Sequence, residues 1–437
     1  MTQIGAHGRA NGDPIFMRFL HTTLRWAAGL VTLALLVTNL RLYSPGSETY
    51  TPEQLGGDVV PQLRYLGEAL RNGAGERMQR LFPEGYFFTH VLYGLAWVEV
   101  GLRVPDDSPL YQQALKEANW ALTRLDSRTA KAPFSIGLDP PYGVFYVGWS
   151  NWLRGGLLML QPVDSRPPAQ VDRFQTESLA LAQAFDRSPT PFLAAYPQMA
   201  WPVDSVVAVA TLRLHDALFP PRFASTIERW LDAAQDRLDP MTGLLAHSVD
   251  PLTGETLEGA RGSSQSLMAR FLIEVEPAWG RSQYVLFRQQ FVAPFLGPPS
   301  VREYPADRIG RGDIDSGPLV AGFSASATVA MIAAAQVQGD RELADALIDV
   351  SEAVGVPIRW GATKRYAFGL LPVGDAFLVW AKTSQPWIET WSAAALPQIV
   401  EGWWRLPLHG ASLLIVMGAW LLTRRLRPDR RELHSIP

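Results

Sequence analysis

The chain has 437 residues, 39 Lys plus Arg against 42 Asp plus Glu, and no cysteine. A net charge of −3, with basic residues concentrated only in the C-terminal tail, excludes the electrostatic footprint of a nucleic-acid binder. Without cysteine there are no disulfides, thiolate metal sites or thiol nucleophiles, a composition compatible with export.

The first 22 residues are polar and Gly-containing at their start and read as a disordered cytoplasmic segment. Residues 23–43 hold an apolar run, 26–40, with Arg18 and Arg25 before it, and read as a transmembrane helix. No small-x-small cleavage site follows, since Arg41-Leu42-Tyr43-Ser44-Pro45 comes next, so an uncleaved anchor is expected rather than a signal peptide. Residues 403–423 form a second apolar stretch, opened by Trp403 and Trp404. The basic tail 424–437 closes it with Arg424, Arg425, Arg427, Arg430 and Arg431. The positive-inside rule places both termini in the cytoplasm and the domain between them, 44–402, outside the membrane.

Within 44–402 an amphipathic helix is followed by a more apolar one six times, with a period of about 55 to 60 residues. Amphipathic segments fall at 60–71, 109–125, 170–185, 223–238, 282–291 and 341–354. Their apolar partners fall at 86–102, 144–160, 201–219, 263–273, 317–337 and 367–382. A helix that is apolar on most of its circumference is buried, whereas one with a charged stripe belongs outside. Six buried helices ringed by six half-exposed ones describe an all-α (α/α)6 toroid of six helical hairpins, with one transmembrane helix at each end. An open solenoid is the alternative. Links within each pair are long and links between pairs are short, so the irregular polar segments gather at one mouth.

Candidate chemistry is therefore sought at that mouth. Arg311-Gly-Asp313-Ile-Asp315-Ser-Gly-Pro318 places two carboxylates before the fifth apolar helix, where one cap would suffice. Tyr196-Pro-Gln-Met-Ala-Trp201-Pro-Val-Asp204-Ser205 opens the third, and Gly259-Ala-Arg261-Gly-Ser263-Ser264-Gln265 the fourth. Asp239-Pro-Met-Thr-Gly and Asp250-Pro-Leu-Thr-Gly are turns bracketing 244–249, which reads as a β-hairpin over the mouth. Capping explains any one of these carboxylates, and packing explains any one aromatic. Together they read as a sugar-binding cleft, with Asp315 as acid, Asp204 as base and Asp313 as alternate for either. Glu84, Tyr146, Trp149, Asn151, Trp201, Arg261 and Gln265 are the expected substrate contacts. The histidines lack HExxH or other paired metal spacing, and no cofactor-binding motif is present, so neither metal nor cofactor is expected.

This layout resembles the six-hairpin toroid enzymes over residues 60–383, on the helix pattern plus Trp201-Pro-Val-Asp204-Ser205, Gly262-Ser263-Ser264-Gln265 and Gly312-Asp313-Ile-Asp315-Ser-Gly317. That group includes many glycoside hydrolases, some polysaccharide lyases and the linalool dehydratase-isomerases. The resemblance, together with the two apolar spans, implies a membrane-anchored enzyme cleaving glycosidic bonds in a polysaccharide of the cell envelope or the environment by carboxylate acid–base chemistry. Two alternatives stand beside it: a lyase or hydratase on a terpenoid or lipid-linked substrate, or a non-catalytic envelope binding module. The linalool dehydratase-isomerases use cysteines, and a thiol-dependent version of their chemistry is excluded here.

Overall fold

The computed structural model describes residues 14–43, 55–389 and 396–425. In chain order its helices begin with α1 (Pro14–Arg41), α2 (Val59–Arg71), α3 (Ala74–Gln79), α4 (Gly85–Gly101), α5 (Pro109–Leu125) and α6 (Arg128–Lys131). They continue with α7 (Gly143–Leu160), α8 (Pro168–Arg187), α9 (Pro202–Leu218), α10 (Ala224–Gln235), α11 (Gly262–Val275) and α12 (Pro277–Phe291). The last four are α13 (Ala325–Val337), α14 (Arg341–Val354), α15 (Pro372–Thr383) and α16 (Leu406–Arg425).

The apolar helices α4, α7, α9, α11, α13 and α15 each pack on the next, and α15 packs back on α4. The ring therefore closes. Around it, α5 lies against α4 and α7, α8 against α7 and α9, and α2 against α15 and α4. Close packing of the ring relies on small residues. A Cβ at Gly148 of α7 would meet the Ala208 backbone of α9 at 3.3 Å, and one at Gly155 would meet Leu214 at 2.5 Å. Aromatic side chains fill the bore: Trp149, Trp152, Phe271 and Trp380 are all buried, with Trp149 and Phe271 edge to face at 5.1 Å.

The face away from the mouth is plugged. Trp387, just after α15, stacks on Trp152 with ring centres 4.4 Å apart and planes 5° from parallel. Its indole N–H donates to Glu99 at 2.9 Å and its backbone N–H to Glu274 at 3.0 Å. Buried Arg270 sits between those acids, 2.8 Å from Glu274 and 3.8 Å from Glu99. Gly156 leaves room for the plug, since a Cβ there would lie 2.6 Å from the Trp387 ring. Gly156→Ala is expected to lose about 1–3 kcal/mol by overpacking, read as a lower urea midpoint for the purified chain.

Several boundaries differ from expectation. The first helix begins at Pro14 rather than near residue 23, while residues 1–13 and 426–437 lie outside the described residues. The fifth inner helix starts at Ala325, not 317, because Ser324 supplies its cap by accepting from Ala327 N at 3.1 Å. The stretch expected to open that helix instead makes a short hairpin of Leu319–Val320 with Phe323–Ser324. Likewise the sixth inner helix starts at Pro372, preceded by a hairpin of Ile358–Trp360 with Thr363–Arg365. Over the mouth, Ser248–Val249 pairs with Thr256–Glu258 around the second DPxTG turn, which places the expected hairpin a few residues later.

Candidate active site

Every outer-to-inner connection ends on the same face, where the N-terminal ends of the inner helices converge. Asp204 lies in the first turn of α9, following Pro202 at the start of the helix, and its backbone N–H closes the turn on Trp201 O at 3.0 Å. Its side chain is buried. Burial pushes its carboxyl well above the usual carboxylate range, and the charges of Asp315 and Glu84 push it further. The Trp149 indole N–H faces this carboxyl and opposes the shift, although it forms no well-aligned hydrogen bond.

Glu84 immediately precedes α4 and accepts a hydrogen bond from the Tyr196 hydroxyl. Tyr196 comes from the connection into α9, held edge to face on Trp201 at 5.6 Å and stacked on Phe134 at 5.7 Å. Burial keeps its phenol protonated, and Glu84, Asp204 and Asp315 reinforce this. Glu84, Tyr196, Asp204 and Asp315 thus converge from three connections and sense one another's charge.

Asp315 stands at the lip, its side chain 49% exposed. Burial of its surroundings, then Asp313, raise its carboxyl to about 6, while Arg261 opposes them. Solvent tempers that shift at so open a position. Asp313 is different. It accepts from the backbone N–H of Asp315 at 3.0 Å and of Ser316 at 3.1 Å, and pairs with Arg261. Burial works against ionisation there, but the Arg261 and Ser316 hydrogen bonds prevail and hold it at about 2. A carboxylate so held is a poor proton carrier.

Arg261 is the hub of the neighbouring network. Its guanidinium reaches buried Glu303 at 2.8 Å, Glu258 at 3.1 Å and Asp313. Glu303 also accepts from Ser263 Oγ at 2.7 Å and Ser263 N at 3.1 Å, which ties the start of α11 to the α12–α13 connection. His247 lies 3.8 Å from Asp315 and bonds Ser264 through Nδ1. Burial, then Arg261, lower its imidazole to about 3, so it stays neutral and makes a weak base for Ser264. His247, Asp313 and Asp315 offer ligand atoms within 4.8 Å of one another. The Arg261 guanidinium, 3.4 Å from His247 Nε2 and paired with Asp313, already supplies the positive charge a cation would bring, so the set fits a metal ion poorly.

The remaining expected contacts are spread more widely. Trp149 is buried below Asp204, and Trp201 is partly exposed beside Tyr196. Gln265 donates to Leu245 O at 2.6 Å and clamps the turn over the mouth. Tyr146 and Asn151 point the other way, into the layer between inner and outer helices. Tyr146 donates to Leu125 O at 3.0 Å, and Asn151 to Ser178 Oγ at 3.0 Å and Phe174 O at 3.2 Å. Tyr196, His247, Glu258 and Glu303 are mouth residues that the sequence reading did not single out. Tyr196 falls inside the segment that carries Asp204, and His247 interrupts an apolar run between the two DPxTG turns. Glu303 has no comparable signal. A surface cavity of about 610 Å³ lies instead on the outer wall between α5 and α8, lined by Tyr111, Lys116 and Gln170, away from the acids.

No family model matches the sequence, and no curated protein matches it. Among solved structures, the chain is similar to a GH76 alpha-mannanase of Bacteroides thetaiotaomicron, at 7% identity and a TM-score of 0.42. That similarity covers 68% of this chain and 84% of the other. At that score it bears on neither fold nor activity, which rest here on the ring and its residues.

Proposed function

We propose that the chain is a hydrolase of glycosidic bonds working through Asp204 and Asp315. The observation that carries this reading is the unequal environment of two carboxyls that sense each other at one mouth: Asp204 sealed in and held protonated, Asp315 open and raised only to about 6. Glycoside hydrolysis needs such a pair, one group to protonate the departing oxygen and the other to act as base or nucleophile. The environments favour the reverse of the roles expected from the sequence. Asp204 gives its proton to the leaving oxygen as the C–O bond breaks. Asp315, ionised near neutral pH, either takes a proton from the incoming water or attacks the anomeric carbon itself. Tyr196 and Glu84 orient the sugar, while Trp201 offers its ring face. The Tyr196 phenol, kept protonated by burial and then by three nearby acids, is unsuited to the base a lyase requires.

The sign of the pH dependence follows. Activity requires Asp315 ionised, so kcat/KM falls as pH drops through about 6. It also requires Asp204 protonated, so kcat/KM falls again at high pH as that proton is lost. A bell-shaped profile is expected, and Asp315→Asn is expected to abolish activity across it rather than move one limb. A profile flat from pH 4 to 8 would remove the assignment.

We further propose that α1 and α16 cross a bilayer side by side, with both termini in the cytoplasm and the ring outside. Both are long and apolar enough, over Met17–Arg41 and Leu406–Arg425, and only 6% of each apolar window is buried. They pair antiparallel: Asn39 donates to Ser412 at 2.8 Å and Trp420 to Thr32 at 3.0 Å. Interhelical bonds of this kind hold helices together where lipid cannot. Arg424 and Arg425 at the end of α16 fit a cytoplasmic boundary.

A further inference from the structure

We infer that the mouth rim formed by the α12–α13 and α14–α15 connections rests in the headgroup layer of the bilayer, so that the mouth lies at the membrane surface. This rests on the membrane-crossing reading of α1 and α16 and adds an orientation to it.

Both of those helices leave the ring from mouth-side loops. Arg41, at the end of α1, donates to Pro357 O in the α14–α15 connection at 3.0 Å. The start of α16 is seated on the α12–α13 connection, where a Cβ at Gly297 would meet Trp404 O at 2.3 Å and the Pro407 ring at 3.0 Å. Arg405 ties the two exits together, donating to Leu42 O at 2.8 Å and pairing with Asp349 of α14. A bilayer crossed by α1 and α16 therefore begins beside these loops.

The same loops carry apolar side chains that the ring does not bury. Trp360 is 79% exposed, Leu370 77%, Phe368 64% and Leu296 61%. On the opposite face, among the described residues, Val163 is the exposed large apolar side chain. Phe368 is moreover held outward on left-handed backbone, at φ 59, next to Ala367 at φ 43. Residues other than glycine seldom adopt that conformation, and it persists only where the surroundings enforce it. Exposed Arg359, Arg308 and Arg311 stand among them. Arg308 and Arg311 are offset by exposed Asp307, Asp313 and Asp315 of the same connection, so the exposed aromatic and apolar side chains are what suit the headgroup layer. In water these side chains gain nothing from exposure; against headgroups they bury apolar surface.

The absence of native cysteine makes the test direct. Single variants of the full chain, Trp360→Cys, Phe368→Cys, Leu33→Cys and Ser165→Cys, are labelled with bimane. Each is reconstituted into phosphatidylcholine–phosphatidylglycerol vesicles carrying nitroxide lipids, labelled at the headgroup or deep in the acyl chain. Labels at 360 and 368 should lose about two-fold or more of their fluorescence to headgroup nitroxide, as expected for side chains at an interface. The label at 165, on the far face, should keep its emission, and the label at 33, within α1, should be quenched by the acyl-chain nitroxide. If the labels at 360 and 368 stay as bright as that at 165 while the label at 33 is quenched, the rim stands clear of the lipid and the inference is overturned with the anchor intact. An unquenched label at 33 overturns the anchor, and the orientation with it. Neither outcome depends on glycosidase activity.

Discussion

Asp204→Asn is expected to lower turnover of a glycoside by about 10²- to 10⁴-fold, the range for loss of a positioned general acid, with KM little changed. The same substitution should leave folding stability within about 1 kcal/mol of the parent. Asp204 is buried and its carboxyl is held in the neutral form, so a neutral amide of the same shape replaces it without stranding a charge. That combination separates catalysis from structure. A merely structural Asp204 would show the reverse, a lower urea midpoint with turnover per folded molecule intact. Arg261→Ala offers a contrast, since it strips the partner from buried Glu303 and from Asp313 and should disturb both folding and the mouth.

Arg270→Ala should give the largest loss of stability, about 3–5 kcal/mol, because removing one member of a buried ion network leaves its partners uncompensated. Arg270 is fully buried between Glu274 and Glu99, and also donates to Gln385 O at 3.0 Å in the plug. Glu99 is raised by its own burial and is held down by Arg103 and Arg270 together. Without Arg270 the Trp387 segment loses its anchor, and the face away from the mouth opens. Urea unfolding of the detergent-solubilised chain, followed by circular dichroism, checks the magnitude. A midpoint equal to that of the parent would mean that the plug does not brace the ring.

The hairpin count and the inside–outside order of the helices were legible because they rest on periodicity, which survives without knowledge of the partners. Segments around 170–185 and 341–354 carry charged stripes and lie outside as α8 and α14, whereas the apolar segment around 144–160 is buried as α7. Closure was not legible, since the contact of α15 with α4 joins residues nearly the length of the domain apart. The start of α13 was misplaced because an Asp, a Ser, a Gly and a Pro in succession look like a cap, while Ser324 further along supplies it. The acids at the mouth could be named from the sequence, but their roles could not. Which carboxyl is sealed and which is open depends on Trp149 of α7, Tyr196 of the connection into α9 and Arg261 just before α11. Tyr146 and Asn151 illustrate the same limit, since a helix period does not say which side of a buried helix faces the bore and which faces the outer layer.

The most direct measurement is release of reducing sugar from a panel of polysaccharides and glycolipids by the purified full-length chain, run beside Asp204→Asn at matched folded concentration. Sugar liberated by the parent and reduced at least a hundred-fold in the variant is the predicted result. Equal release by both proteins, or none by the parent on any glycan, would contradict the proposed use of Asp204 and Asp315.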